Sequence, residues 1–484
     1  MKTKLILISI FITMSVKSQI INFTDINFKN RVLANGVDAN NDGQIQITEA
    51  NVFSNGLNLN QPTPTFPKIT NLSGIEHFIS IPFLFCKDND VEVVDLSNNI
   101  QLTQIFFDNS GVTSINFGSN NNYSAIRVEN NSLQSLDVSN MSLLTVLWCW
   151  NNQITNLDLS NCPLLNTLYC NNNLLTSLNV SNNPLLENLS CRSNQLTSLN
   201  VDSCLLLSFF DCGVNNINTL NLTNNTQLLA VGCNNNNLTS LDVSFNSLLT
   251  NLSCSNNAIT TLNISNNNAL SNLQVGNNLL TSLDLSHAPS LFILGCGSNN
   301  LINLNLSSNS LLQNLSCFQT NLTSLDLSNN TSLTQVLCNS NPQLNYINLK
   351  NGNNLNFDLL ASNFSFLPSL TTVCLDSTNT PLQDRIQSQS IQQIQFASNC
   401  SLLSVIEKDI LDVVIYPNPV LESLTIQTDI INLKVEIFST LGQLFETIIN
   451  ERVVNFNNYS SGQYIIKTTN LDNKNSVTKL ILKI

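Results

Sequence analysis

From Ile81 to Leu333 apolar and polar residues alternate in blocks of 21, and thirteen block starts follow one another in register. With position 1 at Leu144, apolar side chains fall at positions 1, 4, 6 and 11 and asparagine at 9: Leu144, Leu147, Cys149, Asn152, Ile154. The next block gives Leu165, Leu168, Cys170, Asn173 and Leu175. Position 6 carries Cys149, Cys170, Cys191, Cys212, Cys233 and Cys254, skips to Val275, and resumes with Cys296, Cys317 and Cys338. A fixed period in the twenties marks a solenoid, because one block cannot bury its apolar side alone and must stack on the next. Alternation at positions 4–6 and 14–16 predicts two short parallel strands per block. Stacked ~4.8 Å apart, thirteen blocks make a rod roughly 60 Å long. A one-residue slip follows at Asn341-Pro342-Gln343.

The pattern L-x-x-L-x-[LC]-x-x-N-x-L resembles the leucine-rich repeat family. The resemblance implies a repeat solenoid of 21-residue coils with its closing cap over residues 76–402. Asparagine holds position 9 in eleven of thirteen coils, with Ser110 and Thr320 the exceptions. These amides are expected to satisfy backbone groups of neighbouring coils. The cysteine slot also accepts Phe107, Val128 and Val275, so it needs a small to medium apolar group, which a buried thiol is. Packed thiols are the expectation, with some coil-to-coil bridges left open. Cys162 and Cys204 share position 19 but stand two coils apart, too far to bridge, whereas Cys374 and Cys400 flank the closing segment and are the candidate disulfide.

The flanking regions add chemistry. Residues 1–19 read as a secretory signal, with Lys2 and Lys4, an apolar run from Leu5 to Met14 and a small-residue cleavage zone. That run is too short to span a bilayer comfortably, and no other stretch is expected to be long, apolar and unbroken enough to cross a membrane. Residues 20–75 hold Asp38-Ala39-Asn40-Asn41-Asp42-Gly43-Gln44-Ile45-Gln46-Ile47-Thr48-Glu49, which fits D-x-[DN]-x-[DN]-G-x5-E throughout. Asp38, Asn40 and Asp42 offer side-chain oxygens, Gln44 a backbone carbonyl and Glu49 two oxygens, so calcium is the expected ion. The segment resembles an EF-hand or dockerin-type calcium loop in an N-terminal cap. Residues 405–484 switch to β-branched alternation, which predicts a small β-sandwich. Tyr416-Pro417-Asn418-Pro419, Leu441-Gly442-Gln443, Ser461-Gly462-Gln463-Tyr464 and the basic-apolar end at Lys479 to Ile484 follow in order. They resemble the type A C-terminal sorting domain of the type IX secretion system. That resemblance implies passage through the type IX machinery, removal of this domain, and attachment at the outer cell surface or release.

A net charge of −13 argues against a nucleic-acid partner, since phosphate contacts need Lys and Arg. Outward positions 3, 5 and 7 of the first strand are mostly Ser, Asn or Gly, with one departure: Arg127, Glu129, Trp148, Trp150, Tyr169, Arg192 and Phe209. They lie on consecutive coils and include both tryptophans of the chain, so they form the candidate ligand-binding surface for a protein or glycan. Position 15 is Asp or Asn in twelve coils from Asp95 to Asp326, a row read as a solvated face with cross-coil hydrogen bonds. His77 and His287 are the only histidines and stand far apart in the repeat frame, so the expectation is a non-enzymatic, secreted, cell-surface binding or adhesion protein. The alternative is a structural surface or matrix component without a discrete ligand.

Overall fold

A computed structural model describes residues 19–61, 63, 66–378, 380–399, 413–428, 430–440, 443–471 and 476–484. Most of the expected signal segment, Cys400 and the Leu441-Gly442 turn lie outside the described residues. The described residues form two compact units, divided between Ser398 and Asn399.

In the first unit the repeat becomes a 14-stranded parallel sheet running from Leu57–Asn58 to Gln335–Leu337. Each later strand has three residues and pairs one-to-one with the same repeat positions next door: Val146 with Thr167, Leu147 with Leu168, Trp148 with Tyr169. The middle residue points into the core and its neighbours point out, the two-residue alternation of a pleated strand. Leucines at positions 1, 4 and 11 thus join one continuous core with the position-6 side chains. The second strand is patchier than the period suggests. Val93–Asp95, Ser114–Asn116, Ser240–Asp242, Thr261–Asn263 and Ser324–Asp326 form strands, whereas seven intervening coils pass the same place without ladder bonds.

Polar ladders hold the coils together. The position-9 asparagine bridges neighbouring coils: Asn215 Nδ2 donates to the carbonyls of Cys191 (3.1 Å), Cys212 (3.0 Å) and Gly213 (3.2 Å), and its Oδ1 accepts from the Leu196 amide at 3.0 Å. A second asparagine ladder, at position 19, did not stand out in the sequence. Asn183, Asn225, Asn246, Asn267, Asn309 and Asn330 are buried there and donate to carbonyls of the preceding coils. At position 15 each Asp or Asn side chain accepts from the amide two residues on, as Asp158 does from Ser160 at 2.9 Å. The row is a stack of Asx turns, and those bonds hold the Asp158 carboxyl below its ordinary range.

Every coil also turns through the left-handed region at position 8, with φ between 52° and 61° from Asp88 to Ser340. Asparagine fills most of these positions because its short side chain tolerates that region. Val214 is the misfit, since a β-branched residue is strained at φ 54°. Val214→Asn is therefore expected to stabilise the solenoid by about 1 kcal/mol in urea denaturation. An unchanged or lower midpoint would contradict the strain.

Caps close both ends. Helix Ile26–Ala34 starts at Asp25, whose carboxylate accepts from the amides of Asn27, Phe28, Thr70 and Asn71 and from the Thr70 hydroxyl. Burial pushes that carboxyl up, yet the hydrogen bonds outweigh it and hold it low. Arg31 is buried against the first coil, donating to the carbonyls of Leu59 and Pro67 and to Asn89 Oδ1. At the far end, helix Pro381–Ser388 leads to a last strand, Gln395–Ala397, paired with Thr372–Cys374. Cys374 is disulfide-bonded, and the partner expected for it, Cys400, lies outside the described residues.

The second unit is a small β domain of two antiparallel sheets, three-stranded and four-stranded. Val420, Leu424, Ile426, Val435, Ile437, Phe456 and Ile466 build its core.

Candidate functional site

The long sheet presents positions 3, 5 and 7 on its open face. Because pairing is one-to-one, side chains at position 5 of successive coils lie directly over one another. Five flat groups follow there: Phe85, Phe106, Arg127, Trp148 and Tyr169. Phe85 stacks on Phe106 at 4.3 Å between centroids, with planes 7° apart. The Arg127 guanidinium carbon then sits 4.9 Å from the Phe106 centroid and 4.0 Å from that of Trp148. Trp148 stacks on Tyr169 at 5.6 Å and 27°. Phe83, two residues before Phe85, adds a ring at 4.6 Å. A cation held between two ring faces gains from both π-systems, and stacking orders it as well.

Charge is buried beside the ladder. Arg127 donates to Glu129 Oε1 at 2.9 Å, and the Glu129 side chain is only 3% exposed. Burial pushes the Glu129 carboxyl above the usual glutamate range, although the Arg127 hydrogen bond pulls the other way. Lys87 and Asp108 pair at 2.9 Å in the preceding coils. Three buried polar atoms here have no partner in the structure: Arg127 Nε, Trp148 Nε1 and Glu129 Oε2. Unpaired buried polar atoms are costly, but the Oδ1 atoms of the position-19 asparagines lack partners too, so the shortfall alone does not mark a site.

The structure thus gathers Arg127, Glu129, Trp148 and Tyr169 from the sequence-derived set. Arg192 belongs to a neighbouring cluster, donating to Asn234 Oδ1 at 3.0 Å and lying 3.7 Å from Asp211. Trp150 and Phe209 share the open face but join no ring stack among the described residues. Two rungs, Phe85 and Phe106, were missed. Their signal was available, because they hold position 5 in the two coils before Arg127. One expectation changes with the geometry: inside the ladder the rings cover one another's faces, so a ligand there meets ring edges.

Elsewhere, the position-6 cysteines are free and buried. Burial raises the Cys170, Cys254 and Cys296 thiols to about 12, which leaves them protonated and unreactive. The Asp38–Glu49 loop joins helix Ile26–Ala34 to helix Ile47–Val52, with Ile45 buried beneath it. Asp38 accepts from the Gly43 amide at 2.8 Å, and Glu49 accepts from the amides of Ala39, Asn40 and Gln46. Its donors are hard oxygens of the kind calcium takes, but among the described residues no three acidic, His or Cys side chains converge as a ready metal cluster.

Comparison with known proteins follows the same division. Residues 414–483 match the secretion system C-terminal sorting domain. The functional domain of InlJ from Listeria monocytogenes, described as including a cysteine ladder, superposes with a TM-score of 0.55 at 24% identity, over 94% of this chain and 98% of that one. An internalin, inlF, from the same species gives 0.48 at 20% identity, over 78% of this chain and 95% of that one. Ulvan lyase NLR42 of Nonlabens ulvanivorans is 45% identical over 85 residues, which is 16% of this chain and 16% of that protein. The matched stretch therefore spans a small part of the relative's length. It also corrects the expectation of a non-enzymatic chain, because a matching relative is named as an enzyme. Two distant histidines speak only to histidine-centred catalysis and leave carboxylate, tyrosine and arginine chemistry untouched. The chain thus has the fold of a leucine-rich-repeat solenoid in its first unit and matches a secretion system C-terminal sorting domain over residues 414–483.

Proposed function

We propose that this secreted protein recognises a protein or glycan at the cell surface through the open face of its long sheet. The observation that carries this reading is the ladder of Phe85, Phe106, Arg127, Trp148 and Tyr169, flanked by the buried Glu129. Coils further along carry Ser253, Gly295 and Ser316 at the same position, so the solenoid stands without such groups there. Aromatic and arginine side chains ordered in advance lose little entropy on binding, as hot-spot residues do. The sorting domain supports presentation outside the cell.

The test is capture by the full chain on surface-protein and glycan arrays, beside Trp148→Ala/Tyr169→Ala. A ligand lost about tenfold or more in the variant is expected. Equal capture by both proteins would remove the ladder from the binding site.

Calcium at Asp38, Asn40, Asp42, Gln44 and Glu49 is part of the same proposal, as a brace for the N-terminal cap. The ion would replace the amide hydrogens that Glu49 now accepts. Titration calorimetry is expected to show one calcium site in the full chain, and none in Glu49→Ala. No binding heat in the unaltered protein, with no rise in its melting temperature, would dismiss the ion.

A further inference from the structure

At its far end the ladder stops at Tyr169, with no ring on the next strand to continue it. Tyr169 stacks on Trp148 with one face, and the residue paired with it on the next strand is Ser190, too short to cover a ring. The next group in the column, Asp211, leans away. Its carboxylate accepts from the Gly213 amide at 2.9 Å and lies 2.9 Å from where a Cβ on Gly232 would stand. A gap one strand wide is therefore left over Ser190, bounded by the Tyr169 face and the tilted carboxylate.

Resting on the reading of this face as a recognition surface, we infer that the gap seats one ring of a neutral, extended polysaccharide. The seat has one aromatic face and a polar rim. Arg192 lies across Gly213, where an added Cβ would stand 2.5 Å from its Nη1, and its charge is offset by Asp211 at 3.7 Å. Asn234 and Asn188 supply further amide donors and acceptors on either side. Donors and acceptors interleaved around an aromatic face suit a pyranose, whose C–H face packs on the ring while its hydroxyls bond at the edge. The balanced charge of the rim favours neutral sugars over uronic or sulfated ones. Beyond the seat the face is low, with Gly232 and Ser253 at position 5 and Gly213 and Gly276 at position 7. A protein anchor needs a dry apolar pocket instead, and Tyr169 is the seat's one aromatic side chain.

The full chain is titrated with cellohexaose, laminarihexaose and an oligogalacturonate, by calorimetry and by the fluorescence of its two tryptophans, Trp148 and Trp150. Ser190→Trp fills the seat with the chain's own ring, at a position where Trp148 shows that tryptophan fits. Ser316→Trp makes the same change on a distant coil, and Tyr169→Ala removes the stacking face. A neutral hexaose is expected to bind, to weaken about tenfold or more in Ser190→Trp and Tyr169→Ala, and to keep its affinity in Ser316→Trp. No sugar binding, preference for the oligogalacturonate, or affinity unchanged in Ser190→Trp would overturn the seat. If no sugar binds but an array protein is still lost in Trp148→Ala/Tyr169→Ala, the sugar seat fails and the recognition surface stands.

Discussion

Arg127→Ala is expected to cost on the order of 3 kcal/mol at neutral pH, because it leaves the Glu129 carboxylate buried without its cation. It also parts Phe106 from Trp148, which meet only through the guanidinium. Partial exposure of Arg127 keeps the figure toward the low end. The loss depends on pH in a set direction. Burial raises the Glu129 carboxyl, so its contribution to stability is full below the ordinary glutamate range and is lost as pH rises through the raised value. Without Arg127 the carboxyl rises further, so the cost of Arg127→Ala grows from acid to neutral pH. Adding Glu129→Gln removes the charge and is expected to recover part of the loss. Urea denaturation of the three proteins at acid and neutral pH measures this, and a pH-independent loss would mean that Glu129 does not need its partner.

Asn215→Ala is the second large effect, at about 3 kcal/mol or more. The Leu196 amide loses the acceptor that Asn215 provides, and the Cys191, Cys212 and Gly213 carbonyls each lose a donor. An orphaned buried amide alone costs about 1–3 kcal/mol. Asn216, next in sequence, is exposed, so Asn216→Ala should stay within about 0.5 kcal/mol. In a solenoid each coil depends chiefly on its neighbours, so the damage begins locally and a split unfolding transition is the expected sign. Equal stability of the two variants would show that the asparagine ladder is dispensable.

The repeat frame was legible because each inward position takes one kind of side chain. Leu147 and Cys149 name the core, Asn152 the turn, and their period fixes the register. The stack at position 5 was only half legible. Trp148 and Tyr169 stand out as rare residues, whereas Phe85 and Phe106 look like ordinary apolar ones until the one-to-one pairing places them under Arg127. The position-19 ladder was masked by Met141, Cys162, Cys204 and Ala288, which fill the same buried slot. The discontinuous second sheet was not legible, because alternation marks which residues turn inward and not how closely coils approach. That the ladder ends in an open ring face depends on where Asp211 leans, which only the packing decides.

The most direct test of recognition through the open face is hydroxyl-radical footprinting of the full chain, alone and saturated with a ligand captured on the arrays. Tyr169, Trp150 and Phe209 should lose reactivity on binding, while Phe366, an exposed ring of the closing cap, serves as the internal reference. Protection confined to the cap or to residues 414–483, with Tyr169 as reactive as before, would contradict the account.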